Sequence, residues 1–299
     1  MISCRWDARA EIAKAVPWPR IARLAMLAPW IVALAALLPC HGAAAQSSGA
    51  GAAAADDATE LAKKLQNPIA DLISVPFQNN ANFDYGPNHG TQNILNIQPV
   101  VPFHITENWN LITRTILPLV SQPSLQPGGG STFGTGPTVF TAFLSPKETV
   151  NGWLWGVGPV FQIPTASSSK LGSNVWGGGP SAVAVRTDGP WVYGALINNI
   201  WSFGGTSGPG GSRYSVLTAQ PFVNYNFGGG WFVGTSPIIT ANWYASGGKW
   251  TLPLGAQGGR LVKLFDKLPV NFSAGAYYNA IQPEVGPNWQ LRTQVTFVF

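Results

Sequence analysis

The chain closes with WQLRTQVTFVF, residues 289–299, and this stretch decides the fold. Trp289, Leu291, Val295, Phe297 and Phe299 take alternate positions, with Thr293 the one weak member of the set. Gln290, Arg292, Gln294 and Thr296 take the others. Successive side chains of a strand point to opposite faces. One face of this strand therefore suits lipid and the other a wet interior.

The same period of two extends back to residue 73. Ile73, Val75, Phe77, Ala81 and Phe83 alternate with Ser74, Pro76, Gln78, Asn80 and Asn82. Between Gly- and Pro-rich breaks the pattern recurs at 91–103, 109–120, 135–144, 153–164, 179–186, 191–203, 213–227, 231–244, 249–264, 270–281 and 288–299. With 73–83 these make twelve segments. Most are near the roughly 9–11 residues that a tilted strand needs to cross a bilayer.

Composition agrees. Of 299 residues only 10% are charged, against about 25% in ordinary soluble domains, so the surface is poorly suited to bulk water. With 12% aromatic and 45% hydrophobic residues the chain is not disordered, since disorder goes with few aromatics and high charge. No apolar run of about 20 residues follows the N-terminal region, which excludes a bundle of transmembrane helices. Regular strands split by turn signals leave an all-β barrel or sandwich.

Loop lengths favour the barrel. The breaks at 84–90, 121–134, 165–178, 204–212, 245–248 and 283–287 average about nine residues. Those at 104–108, 145–152, 187–190, 228–230 and 265–269 average five. Long outer loops alternating with short periplasmic turns are the layout of outer-membrane barrels, which normally have an even number of strands. Counting 73–83 gives an even number and returns both chain ends to the periplasm. The sequence thus predicts an antiparallel transmembrane β-barrel of about twelve strands, with ten or fourteen as alternatives. A secreted, sugar-binding β-sandwich is the rival architecture.

Aromatic placement points the same way. Trp109, Trp153, Trp155, Trp191 and Trp231 open strands that follow short turns, while Trp201, Trp243, Trp250 and Trp289 lie at the opposite ends. Two rings of Trp at the interfaces of an apolar band are what amphipathic indoles favour in a bilayer. Core aromatics of a sandwich would crowd mid-strand instead. The terminal pattern ending in Phe297 and Phe299 resembles the signal read by the outer-membrane assembly machinery. That machinery and membrane lipid are the expected partners.

Residues 1–45 read as a signal peptide. Arg5, Arg9, Lys14, Arg20 and Arg23 accompany an apolar stretch at 24–38, and Ala43-Ala44-Ala45 supplies an A-x-A-like cleavage site. A membrane anchor, or a lipoprotein signal at Cys40, are the other readings. Cleavage lowers the formal net charge from +5 to +2, so no basic footprint for nucleic acid survives. Cys4 and Cys40 leave with the leader, and with them any disulfide or Cys-based metal site. In the next region, 46–70, residues 46–55 read as a flexible Ala/Ser/Gly spacer. Residues 56–67 read as a short helix, with Asp56, Asp57 and Glu60 before Lys63 and Lys64 to suit the helix dipole, and Pro68 as its stop. The barrel is assigned to 71–299.

Residues 61–80, LAKKLQNPIADLISVPFQNN, resemble a group of proteobacterial outer-membrane proteins. These are often labelled "neuromedin U" or placed with barrels linked to the meta-pathway of phenol degradation. The resemblance continues through 91–103, with its QPVVPF, and through 110–118, roughly a fifth of the chain. It implies a barrel of about twelve strands and passage of small hydrophobic compounds. It brings no catalytic motif.

Candidate chemistry is sparse. His89 falls in the first outer loop and His104 in the first periplasmic turn, roughly 25 Å of membrane apart, so they cannot share a metal or a triad. One enzyme reading sets His89 beside Asp84 and an outer-leaflet serine, as in membrane acyl-transfer enzymes. Ordinary turn chemistry explains DYGPNHG (84–90) equally well. The glycine runs 128–130, 177–179 and 228–230 read as turns, since none fits a phosphate loop. No catalytic residue, metal or cofactor is expected.

The arginines say more. Arg114, Arg186 and Arg292 fall on the face opposite the more apolar set, and a lipid-facing Arg at the midplane would cost about 2–4 kcal/mol. They are predicted to line the lumen together with Gln78, Asn80, Gln290 and Gln294. The competing reading makes them structural, bonded to lumen backbone or to the N-terminal helix. Arg260 follows Gly258-Gly259, where a bulge could shift the register, and is left unassigned. The function predicted is a passive channel or transporter for an unnamed small molecule, closed if the helix folds inward. Sideways exit into the membrane is a further possibility where Pro76, Pro99, Pro102 and Pro118 interrupt the ladders. The rival from another class is a non-conducting structural or surface-binding barrel.

Overall fold

A computed structural model describes residues 49–126, 128–205, 213–265 and 267–299. The expected leader, 1–45, and the first residues of the spacer lie outside them. One helix, α1 (Gly49–Leu65), comes first. The strands are β1 (Ser74–Tyr85), β2 (Gly90–Ile97), β3 (Val100–His104), β4 (Trp109–Gln122) and β5 (Thr132–Thr135). Then come β6 (Thr138–Pro146), β7 (Trp153–Ile163), β8 (Val175–Asp188), β9 (Trp191–Gly205) and β10 (Ser215–Asn226). The last are β11 (Trp231–Thr235), β12 (Ile239–Asn242), β13 (Trp250–Leu264), β14 (Leu268–Ile281) and β15 (Trp289–Val298).

All pairings are antiparallel, and the sheet closes where β15 meets β1, from Ser74 opposite Val298 to Phe83 opposite Trp289. The Phe299 amide adds one more bond, to the Ile73 carbonyl at 3.0 Å. Three of the staves are broken: β2 from β3 at Gln98-Pro99, β5 from β6 at Gly136-Pro137, and β11 from β12 around Pro237. Each break holds a proline, which has no N–H to give to the ladder. Fifteen segments therefore make a twelve-stave antiparallel barrel, as the alternation predicted. Closure leaves no sheet edge, so the wall satisfies its own backbone.

Two differences from expectation have a clear physical cause. The helix begins at Gly49, not at residue 56, because four consecutive alanines, 52–55, are the best helix formers available. That part of the expected spacer is ordered. The run Gly177–Gly179 is not a turn but lies inside β8, paired with Gln162 to Val160 on β7. Glycine is required there by close approach: a Cβ on Gly179 would sit 1.8 Å from the Asn199 carbonyl oxygen. The loop before it shrinks to 164–174. Gly228–Gly230 is a turn, a single 3-10 turn with Gly229 at φ 71°.

Candidate functional site: the barrel interior

In a single-walled barrel the buried alternate set is the interior set. On β1, Gln78, Asn80 and Asn82 are buried while Phe77 and Phe83 are exposed. On β15, Arg292 and Thr296 are buried while Trp289 and Leu291 are exposed. An amide ladder crosses this part of the inner wall: Gln290 donates to Asn82 at 2.9 Å, Asn82 to Gln92 at 2.8 Å, and Gln92 to Gln122. Gln78 donates to Asn80 at 3.2 Å, and Gln294 to Thr296 at 3.0 Å. Arg114, inward on β4, donates to the Gln98 side chain, which the Gln98-Pro99 break turns inside.

Arg186 does not join them. On β8 Ser181, Val183 and Val185 are buried, and Arg186 lies on the outer face, opposite Trp153 and Tyr193. Its guanidinium carbon passes 3.5 Å from where a Cβ on Gly152 would sit, so the side chain reaches to the turn at the end of the wall. The rule that the less apolar face is the wet one inverts here because Val183 and Val185 pack inside. Arg260 resolves the same way. It is exposed, with its guanidinium carbon 5.0 Å from the centroid of Trp231 and its Nε donating to the Gly229 carbonyl at 3.4 Å. Long basic side chains at such ends reach out of the apolar band.

The partner of Val183 and Val185 is Ile69, 1% exposed, which the segment after α1 carries into the barrel. Ile112, Phe143, Val192, Leu196 and Phe222 complete this apolar cluster. Gln66 and Asn226 exchange two amide hydrogen bonds, 2.8 and 3.1 Å, and the Asn67 side chain accepts the Ile69 amide at 3.0 Å. Asp71 pairs with His104 at 2.8 Å. The helix lies across the mouth: the Gly230 amide donates to the Thr59 hydroxyl at 3.3 Å, and Lys263 reaches Asp57 at 4.0 Å. The inserted element is thus the stretch 66–72, with α1 as its cap. Ile69 shows no alternation in sequence, and its Pro68-Ile69 context gave no signal.

Beside this segment a cavity of about 160 Å³ remains, lined by Arg114, Arg292, Lys64, several amides and apolar side chains. The break around Pro237 directs Ser236 into it. The Ser236 carbonyl accepts from Arg292 Nη1 at 2.7 Å, its hydroxyl from Gln220 at 2.8 Å, and its amide donates to the Tyr277 hydroxyl at 3.3 Å. Arg292 lies 4.6 Å over the Tyr277 ring, and its other donors reach Asn80 and Gln290. A proline within a stave was the sequence signal for Gln98 and Ser236.

The tryptophans sit at the two ends of the wall. At the α1 end Trp109 meets Trp155, Trp153 meets Tyr193, and Trp191 meets Tyr225, with ring centroids 5.8, 5.7 and 4.9 Å apart. Trp231 is half-exposed at the same end. At the opposite end Trp243 packs on Trp250 at 5.8 Å and Trp289 on Tyr278 at 4.9 Å, and Trp201 is exposed. Phe297 packs edge-on to Phe77 across the closing seam, and Phe299 is exposed. The histidines lie at opposite ends. His89 bonds Asp84, which also accepts from Asn288. Among the described residues no serine hydroxyl joins this pair. Ser124, in the neighbouring loop, gives its hydroxyl to the Gln126 carbonyl at 2.9 Å. No group of three metal-ligating side chains occurs among the described residues.

The sequence matches no protein-family model and no curated protein. Solved structures do share the fold. An outer membrane channel from Pseudomonas putida F1 superposes with a TM-score of 0.56 at 19% identity, covering 76% of this chain and 94% of that one. The NanC porin gives 0.47 at 10% identity, over 76% and 98% of the two chains. Outer membrane phospholipase A from Escherichia coli gives 0.40 at 13%, over 81% and 98%. The first of these establishes the architecture as that of an outer-membrane barrel.

Proposed function

We propose that the chain is an outer-membrane channel for small molecules, held closed at the end that carries α1. The carrying observation is the polar, cation-bearing cavity inside a closed barrel that an N-terminal extension, residues 66–72 with α1 as cap, obstructs at that end. In this reading residues 1–45 direct export, Phe297 and Phe299 direct assembly, and the α1 end faces the periplasm. The likeness of residues 61–80 to the phenol-pathway barrels supports a small organic solute. A twelve-stave barrel lies between eight-stranded barrels filled by side chains and the wide porins, so its filling decides whether it conducts.

Liposome swelling tests this with the mature protein, 46–299, and with 71–299. The shorter form should admit small solutes and the longer one much less. If both leave liposomes tight, the channel reading fails. The second reading, a non-conducting barrel, then takes its place, favoured by the apolar cluster that Ile69 forms with the inner wall.

A further inference from the structure

We infer that the cavity between β4 and β15 is a binding site for a small organic monocarboxylate, its carboxylate on Arg114 and Arg292 and its apolar body on the facing wall. The inference deepens the channel reading by naming a class of solute, and rests on it only for the site's purpose.

The charge arrangement is one-sided. Arg114, Arg292 and Lys64 line the cavity, and among the described residues no acidic one does. The ion pairs among the described residues, Lys63–Glu60, His89–Asp84, His104–Asp71 and Lys263–Asp57, all lie elsewhere. Arg292 is 4% exposed, and every partner it has is neutral: two amide oxygens, one carbonyl and a ring. Buried charges are ordinarily paired with an opposite charge, and here the described residues supply none. Arg114 gives only Nη2 to Gln98, which leaves most of a five-donor fork for an incoming group. Such a fork matches a carboxylate bidentately.

The rest of the wall selects the body of the ligand. Val100, Leu196, Phe222 and Phe232 line the same space. Its volume, about 160 Å³, is the size of an engineered cavity of about 150 Å³ that takes up benzene. A one-ring or similarly short carboxylate fits both features. A free inorganic anion would leave the apolar wall unused, and a neutral ring would leave the cations unpaired.

Calorimetry on the detergent-solubilised mature protein, with benzoate, benzyl alcohol and acetate as probes, tests the site apart from conduction. Benzoate should bind, with benzyl alcohol at least about tenfold weaker for want of a charge-assisted hydrogen bond, and acetate at least about tenfold weaker for want of the buried ring. Arg114→Gln, checked as folded by its anomalous migration on unboiled gels, should weaken benzoate by a similar factor, with Arg114→Lys between. No benzoate binding overturns the proposal. So does equal binding of benzyl alcohol, or an unchanged benzoate affinity in folded Arg114→Gln. Tight liposomes alongside benzoate binding would remove the channel reading and leave the site.

Discussion

The inner wall of this barrel has two halves built on one pleat. From β14 through β15 and β1 to β2 it carries Asn271, Arg292, Gln78, Asn80 and the amide ladder. From β6 through β10 it carries Phe143, Val183, Val185, Val192, Leu196 and Phe222. Both halves alternate with period two. The difference teaches that alternation reports two faces without saying which is wet. In the amide half the inner face is mostly amide and hydroxyl, with Tyr277 and Val298 among them. In the other half the inner face is better packed than the outer, because residues 66–72 bring Ile69 to pack on it.

The largest effect should come from the closing strand, in the amide half, where the outer face carries most of the apolar side chains. Replacing both Phe297 and Phe299 by Asp puts two carboxylates on the lipid face beside the β15–β1 seam. Folded protein should then be absent from the outer membrane by immunoblot and gel shift. Normal levels would show that the seam needs no apolar outer face.

Next comes the packed half itself. Phe143 is fully buried, and Phe→Ala in such a site costs about 3–5 kcal/mol. Gln78→Ala in the amide half should cost about 1 kcal/mol, the net worth of one hydrogen bond. Urea unfolding of vesicle-refolded protein, followed by tryptophan fluorescence, compares them. Equal costs would erase the distinction between the halves.

A smaller, more local effect is expected at Ile69→Ala, which loosens the inserted segment without touching the wall. Swelling rates should rise to lie between those of 46–299 and 71–299. A rate equal to that of 46–299 would show that the Gln66–Asn226 and Asp71–His104 contacts hold the segment without Ile69.

The fold was legible because each stave repeats one apolar face between turn residues, and because closing an all-antiparallel sheet takes an even count. Register inside a stave was less legible. The glycines 177–179 read as a turn, since a sequence does not show that the Asn199 backbone comes too close for a Cβ. The polar interior was readable on β1 and β15, where Gln and Asn face Phe, Leu and Trp. The apolar interior was not, because it depends on Ile69, which no period connects to the strands it meets. For the same reason Arg114 and Arg292, which line the cavity, follow the simple alternation, and Arg186, on the outer face, does not.

Arg186 gives the finest test of this account. A luminal arginine would be held by interior partners, and losing it would leave those unpaired. Arg186 instead lies two residues from the end of β8, on the outer face, alongside Trp153 and Tyr193. At that height an outward basic residue costs only about 0–1 kcal/mol relative to an apolar one, because its stem covers apolar surface while the guanidinium reaches water. Arg186→Leu should therefore change the unfolding free energy by no more than about 1 kcal/mol, in either direction. It should also leave ion preference in the 71–299 form unchanged. Arg292→Leu, by contrast, strands the Ser236 carbonyl, Asn80 and Gln290, and should cost about 1–3 kcal/mol while shifting that preference toward cations. A change of ion preference on Arg186→Leu would mean that the side chain turns inward in the membrane. The packed half would then be partly wet, and the contrast between the two halves would fail where it is weakest.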